Sequence, residues 1–295
     1  MRKLLVTGMS GFLGGFVFSK AESRFDYLGT CHTYATPVNF TNWQKIDLTN
    51  SYHVSELVRR FPAEVFLHLA AISNLDDCEK NPERAHEVNV KATVRLVAEA
   101  RRLNARFIYV STDMVFDGQK CLYREDAKTN PISVYGRTKL QAEAAVQKME
   151  NAVIVRSALL YGRPRFGGNS FSMWVENRLQ QGQVVPLFTD QFRSPIYAGN
   201  LADILLELCE SDFTGILHAG GTNRMSRYAF GLQLCEIFGY DSSLLKPIAM
   251  TENSSLAPRP RDVSLNVDKA ITILKTDILS TAEGLRRMRN ENKAR

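Results

Sequence analysis

Six short runs in the first half of the chain are apolar almost throughout: KLLVT (3–7), FDYLGTC (25–31), WQKID (43–47), EVFLHLA (64–70), ARFIYVS (105–111) and AVIVRS (152–157). A strand with one wet face alternates apolar and polar residues, so runs lacking that alternation are strands covered on both faces. Helix-length segments with apolar residues at three- and four-residue spacing lie between them. Two are SYHVSELVRRF and PERAHEVNVKATVRLVAEARR, the second starting at Pro82, a favourable first helical residue. Strand, helix, strand in repetition implies right-handed crossovers and predicts an α/β fold with a doubly wound parallel sheet. About a dozen residues with Pro37 in their middle join the second and third runs, and no proper helix is expected there.

Beyond residue 160 the pattern loosens. GRPRFGGNSF reads as a loop, SMWVENRLQQ, NLADILLELCES and YAFGLQLCEIFG as helices, GILHAGG as a short strand, and NSSLAPRPRDVSLN as a polar loop punctuated by proline. The expected division is 1–160 for a dinucleotide-binding domain and 161–295 mainly for a smaller α/β substrate-binding domain, with some segments returning to the first. The formal charge is +6, and five basic groups sit in the closing LRRMRNENKAR, read as a solvated tail. No basic run is interleaved with aromatics, so nucleic-acid binding is not expected. The five cysteines are scattered and never form CxxC, which argues against a disulfide framework or a zinc site and for a reducing compartment. The apolar start stops at Thr7-Gly8, too short for a signal peptide, and no apolar run approaches ~18 residues. A cytoplasmic protein is expected, with no membrane partner and no metal.

VTGMSGFLGG follows the first strand and opens the first helix. Gly8 allows a tight turn, Gly11 lets a pyrophosphate approach the backbone, and Gly14 lets helix and strand pack closely; the free N–H groups and positive end of the helix dipole then face phosphate. Ser10, Phe12 and Leu13 complete this cofactor stretch. The spacing is G-x-x-G-x-x-G, which becomes specific through its place between strand and helix. The acid that usually ends the second strand and holds an NAD ribose is missing from GTCHTY, while His32 and Thr33 can donate to a 2′-phosphate. NADP(H) is therefore preferred, with NAD(H) as second choice; that His32 simply sits on a loop is the competing reading. Asp47 and Leu48 are placed near an adenine, and Ala70 and Ala71 let the dinucleotide lie close to the fourth strand.

Tyr135 and Lys139 in PISVYGRTK stand one helical turn apart and share a face. A phenol ordinarily holds its proton to about pH 10, and a neighbouring ammonium lowers that value. Ser111 and Thr112 end the fifth strand, on the edge where open α/β sheets bind ligands. Either can polarise a carbonyl.

TGMSGFLG, VSTDMVFDG, YGRTK, TDQFRSP and RPRDVSLN, in this order, resemble the extended short-chain dehydrogenase/reductases, and within them the dTDP-4-dehydrorhamnose reductase family. The resemblance covers roughly residues 3–275 and implies a Rossmann-type domain, a nucleotide-sugar-binding C-terminal domain and NADPH-dependent reduction of a 4-keto group on a nucleotide-activated deoxysugar. It also implies roles: Thr112 orients the carbonyl, Tyr135 protonates its oxygen, and Lys139 lowers the tyrosine pKa and bonds the nicotinamide ribose. Asp113 can touch the sugar, or cap a turn. Asn169, with Arg259 and Arg261, can bind the nucleotide diphosphate; either arginine can instead pair with a surface carboxylate. Met114 stands where 4,6-dehydratases carry a glutamate, which disfavours elimination. Leu159 replaces the family's tryptophan, and Ile196 and Tyr197 stand where the pattern has threonine. Two other functions fit the same resemblance: a non-catalytic NADP-binding subunit like the β subunit of methionine adenosyltransferase, or a nucleotide-sugar epimerase or dehydratase holding NAD. A nucleotide-sugar ligand is expected, and a homodimer is left open.

Overall fold

In the computed structural model, residues 1–32, 42–166, 169–252 and 257–293 are described. Seven parallel strands form the central sheet: β1 (Lys3–Thr7), β2 (Asp26–Cys31), β3 (Trp43–Lys45), β4 (Val65–His68), β5 (Arg106–Thr112), β6 (Ala152–Ser157) and, from the second half, β11 (Gly215–Ala219). Their order is β11-β6-β5-β4-β1-β2-β3, so the sheet winds outward in both directions from the β1/β4 boundary. That reversal makes a crevice at the carboxyl ends of the strands, where open sheets of this kind take ligands.

Helices α1 (Phe12–Ala21), α2 (Ser51–Arg60), α3 (Leu75–Lys80), α4 (Pro82–His86), α5 (Ala92–Arg102), α6 (Val134–Val146), α7 (Phe171–Gln180), α8 (Ala198–Glu210), α9 (Arg227–Phe238), α10 (Asp268–Ile273) and α11 (Thr281–Lys293) surround the sheet. Leu4, Val6, Leu67, Ile108 and Val155 point to one side, against α1 and α8; Leu5, Phe66, Phe107, Tyr109 and Ile154 point to the other, against α2, α5 and α6. Two-sided burial is the reason that the strands read as continuous apolar runs. Three small pairs lie outside the sheet: β7 (Leu160–Tyr161) with β10 (Ile196–Tyr197), β8 (Val185–Phe188) with β13 (Leu245–Ile248), and β9 (Phe192–Arg193) with β12 (Met225–Ser226).

The segment expected as one helix from Pro82 is interrupted. Residues Glu87–Lys91 form a π-helical turn between α4 and α5. There the Asn89 amide turns inward and accepts from Ile72 N–H (2.8 Å) while donating to Ile72 C=O (3.0 Å) and Thr138 Oγ1 (3.1 Å). The third strand is shorter than WQKID, because Asp47 leaves it to accept from Thr49 N–H and Oγ1. Most of the closing basic segment lies on α11, which buries Leu285 and Met288 and hands the Arg289 guanidinium to Ile237 C=O, while Arg286 and Arg287 stay exposed, so the charge excess is partly solvated as expected. Thr33 and the Pro37 connection lie outside the described residues.

Candidate active site

The first turn after β1 is shaped by contacts that only glycine permits. Gly8 has φ 71°, and a Cβ there would stand 2.8 Å from the Ala70 backbone. A Cβ at Gly14 would meet the carbonyl oxygens of Gly8 and Met9 at 2.4 Å, so α1 rests directly on the turn. The cap residue Gly11 offers no side chain, and the first bond of α1 runs from Gly15 N–H to Gly11 C=O. The N–H groups of Phe12, Leu13 and Gly14 precede it without helical partners. Leu13 and Gly14 are otherwise packed into the core, leaving only their backbone for a ligand.

In front of this turn lies a cleft of about 1380 Å³ bounded by Gly8, Ser10, Gly11, His32, Asp47, Leu48, Ala70 and Ala71. It continues over Ile72 and Asp77 to α4 and the π-helical turn. The Asp47 carboxyl is held below its usual range, chiefly by the hydrogen bonds from Thr49. Gly11 borders the cleft at the uncapped helix end, where a Cβ would meet the Gly8 carbonyl oxygen at 3.1 Å, and this cradle fits a dinucleotide diphosphate.

The cleft lining does not include Thr112, Tyr135 or Lys139; these gather next to it, behind Ile72 and α3. Ser133 caps α6 by accepting from Gly136 N–H at 3.1 Å. A Cβ at Gly136 would lie 2.2 Å from Met114 C=O, so the first turn of α6 presses on the one-turn helix Asp113–Val115 that follows β5. Tyr135 is thereby brought to Thr112, whose hydroxyl works to lower the phenol's pKa. Thr112 Oγ1 also bonds Asp113 Oδ1 (3.2 Å) and accepts from Met114 N–H (3.2 Å). Lys139, only 3% exposed, holds its ammonium 4.1 Å from the centre of the Tyr109 ring.

Burial dominates the electrostatics here. It pushes the Tyr135 phenol above its ordinary value, against the lowering influence of the Thr112 hydroxyl, and the charges of Asp113 and Cys78 add to the rise. Lys139 is drawn down to about 7, again by burial, with Glu143 opposing. The expected lowering of the tyrosine by its lysine is thus not what governs these side chains: desolvation is the largest effect on each and disfavours both charged forms.

Ser111 needs a correction. Successive strand residues face opposite ways, and its hydroxyl donates to the buried Glu143 carboxylate at 2.5 Å. Glu143 in turn pairs with buried Arg156 at 2.8 Å. Ser111 is therefore committed to this network, while Thr112 faces the tyrosine. Asp113 does not cap a turn with its carboxylate. It is 4% exposed, 3.8 Å from Arg193 Nε, and raised by burial to about 6. Arg259 reaches Asp76 at 3.4 Å, the pairing weighed against a diphosphate role. Arg261 and Asn169 are exposed, and neither is brought to Tyr135 by a hydrogen bond.

The sequence reading passed over Gln191, Arg193 and Arg227. Arg193 is buried and donates to the carbonyls of Phe192 (2.6 Å), Pro260 (3.2 Å) and Arg261 (3.5 Å), which ties the RPRD loop to Asp113. Arg227 lies 4.4 Å from the Phe171 ring centre and donates through Nε to Gln191 Oε1 at 2.9 Å. TDQFRSP carried two of these residues in plain view; only tertiary packing shows that Arg193 meets Asp113 and that Gln191 meets Arg227.

Comparison with known proteins agrees with this architecture. The chain is 35% identical over 273 residues to the probable low-salt glycan biosynthesis reductase Agl14 of Haloferax volcanii, covering 89% of each. It is 33% identical over 276 residues to methionine adenosyltransferase 2 subunit beta of Xenopus tropicalis, covering 91% of this chain and 81% of that one. It is 30% identical over 291 residues to the dTDP-4-dehydrorhamnose reductase of Mycolicibacterium smegmatis, covering 96% and 84%. The crystal structure of dTDP-4-dehydrorhamnose reductase from Bacillus anthracis in complex with NADP superposes with a TM-score of 0.88 at 23% identity, covering 98% and 99%, a likeness of fold. The family model described as the RmlD substrate binding domain matches residues 1–293, and the chain belongs to that family.

Proposed function

We propose that this protein uses NADPH to reduce a 4-keto group on a nucleotide-activated deoxysugar. The observation that carries the reading is the Thr112–Tyr135 hydroxyl pair, with Lys139 one turn further on, set beside a glycine cradle at the same edge of the sheet. Two reductases among the relatives support it. In this reading Gly8, Ser10, Gly11 and the N–H groups of Phe12, Leu13 and Gly14 hold the dinucleotide diphosphate. Asp47 and Leu48 flank the adenine, Ala70 and Ala71 lie along the cofactor, and His32 faces the 2′-phosphate. Residues 1–160 serve mainly the cofactor and 161–295 mainly the sugar nucleotide, with β11 and α8 returning to the sheet. A cytoplasmic location and a homodimer belong to the same proposal.

When bound, reduced nicotinamide would provide hydride chemistry at this edge of the sheet. Thr112 donates to the carbonyl oxygen and orients it. Tyr135, kept protonated at neutral pH by its burial, gives its proton to that oxygen as negative charge develops. Lys139, drawn to about 7 by the same burial, acts in its ammonium form, whose charge stabilises the phenolate that is left. Met114, 7% exposed, provides no second acid–base group for an elimination. The test is Tyr135→Phe. It is expected to bind NADPH as before while NADPH oxidation with dTDP-4-dehydrorhamnose falls by ~10²–10⁴-fold; unchanged turnover refutes the assignment.

The relative at 33% identity favours a second reading, an NADP-binding subunit of a methionine adenosyltransferase. That reading predicts no NADPH oxidation with any 4-ketosugar, and a changed adenosyltransferase rate when the two proteins are mixed.

A further inference from the structure

Positive charge is in surplus on the far side of Asp113. Arg193, Arg224, Arg227 and Arg259 meet three carboxylates there. Arg193 faces Asp113, Arg224 pairs with Asp262 at 2.6 Å, and Arg259 reaches Asp76. Four cations less three anions leaves one, and among the described residues the Arg227 side chain has only the neutral amide of Gln191 as hydrogen-bond partner. Its Nη1 is buried and makes no hydrogen bond. So is Asp113 Oδ2, one residue from Thr112. A buried donor left without a partner is unfavourable, more so when charged, so a ligand that satisfies it gains affinity.

We propose that Arg227 is a specificity-determining residue that receives a carboxylate carried by the sugar, so that the substrate is an acidic nucleotide sugar. The inference rests on the ketosugar reading and changes only the sugar. The Phe171 ring covers the face of the guanidinium and Gln191 fixes Nε, which leaves the Nη edge for a ligand. An in-plane fork of N–H groups matches a carboxylate bidentately. Arg193 and Arg259 repel Arg227 and Asp113 attracts it, so this guanidinium interacts directly with the charges around the reacting end. Burial lowers it to about 9, which still leaves it a cation at neutral pH, and an incoming anion would raise it again. Asp113 Oδ2, facing the same region, is the acceptor for a sugar hydroxyl. Leu159, standing in place of an aromatic platform, fits a sugar held by charge and hydrogen bonds in preference to stacking.

The test is calorimetric, on the full chain with NADP present. The probes are UDP-glucose and dTDP-glucose, their glucuronate counterparts, and free UDP and dTDP. The wild type is expected to bind the glucuronates at least 10-fold more tightly than the glucoses. Arg227→Met should bring that ratio to about one and leave the free diphosphates within 3-fold, while Arg227→Lys keeps part of the preference. NADPH binding reports folding; if Arg227→Met fails it, Arg227→Gln carries the same comparison. A wild-type ratio near one overturns the inference, as does a ratio that survives in the variant. Equal weakening of the free diphosphates also overturns it, since Arg227 would then hold the diphosphate. A clear ratio without NADPH oxidation on any 4-ketosugar sinks the reductase reading alone. Turnover of the neutral 4-ketosugar with a ratio of one sinks this inference alone. No binding of any sugar nucleotide sinks both.

Discussion

Replacing Gly14 by alanine would push α1 off the turn that it rests on. The new Cβ would lie 2.4 Å from two backbone oxygens and 2.6 Å from the Met9 carbonyl carbon. None of the three is the end of a flexible side chain, so the helix itself has to move. Reaching 3.0 Å requires about 0.6 Å of retreat at the helix start, where the free N–H groups sit. Overpacking of this kind costs ~1–3 kcal/mol, which lowers Tm by ~2–4 °C for each kcal/mol. The displaced N–H groups lose their aim at phosphate, and an affinity loss of ~10-fold corresponds to 1.4 kcal/mol. NADPH affinity by fluorescence titration and Tm by calorimetry check this, with Gly182→Ala as control. Gly182 has φ 66° but no neighbour within 4 Å of a Cβ, so its variant should lose a little stability and no affinity. If Gly14→Ala keeps both Tm and NADPH affinity, the close packing of helix on turn does not position the cradle.

Glu143→Gln removes the partner of buried Arg156, and a stability loss of ~3–5 kcal/mol is expected in urea unfolding. Because Glu143 raises Lys139, the alkaline limb of the pH–rate profile should move to lower pH in the same variant; an unmoved limb contradicts the coupling. The buried imidazoles of His68 and His218 are both lowered from 6.5 to about 3, so the unfolded chain binds protons that the native one does not, and stability falls as pH drops through that window. The loss approaches roughly 5 kcal/mol for each at full acidification. Urea unfolding free energy that stays flat from pH 6.5 to 4 would contradict it.

Which parts of this were legible in the sequence follows from where the information is local. The sheet was, because strands covered on both faces are apolar nearly throughout, and every one of the six early runs lies on a strand, the edge strand β3 with exposed Lys45 being the least apolar. The glycine turn was, since a positive φ at Gly8 and contact at Gly14 each demand a missing Cβ. The π-helical turn was not: its cause is Asn89 clasping Ile72, seventeen residues away and across a loop. Ser111 and Thr112 could not be told apart until the strand's facing was fixed. The lysine's influence on Tyr135 was overestimated, because spacing along a helix reveals nearness but not the depth of burial that sets the larger effect. Arg227 carried no local signal at all; its charge becomes unusual only where neighbouring elements leave it without a carboxylate.

The most direct measurement follows the hydride. A single turnover with NADPH deuterated at the transferring position of nicotinamide C4, and a nucleotide-linked 4-ketosugar as acceptor, should leave one deuterium at sugar C4 and yield NADP⁺ in equal amount, with Tyr135→Phe giving neither at a comparable rate. Deuterium retained in the dinucleotide while the wild-type protein binds both ligands would contradict the account.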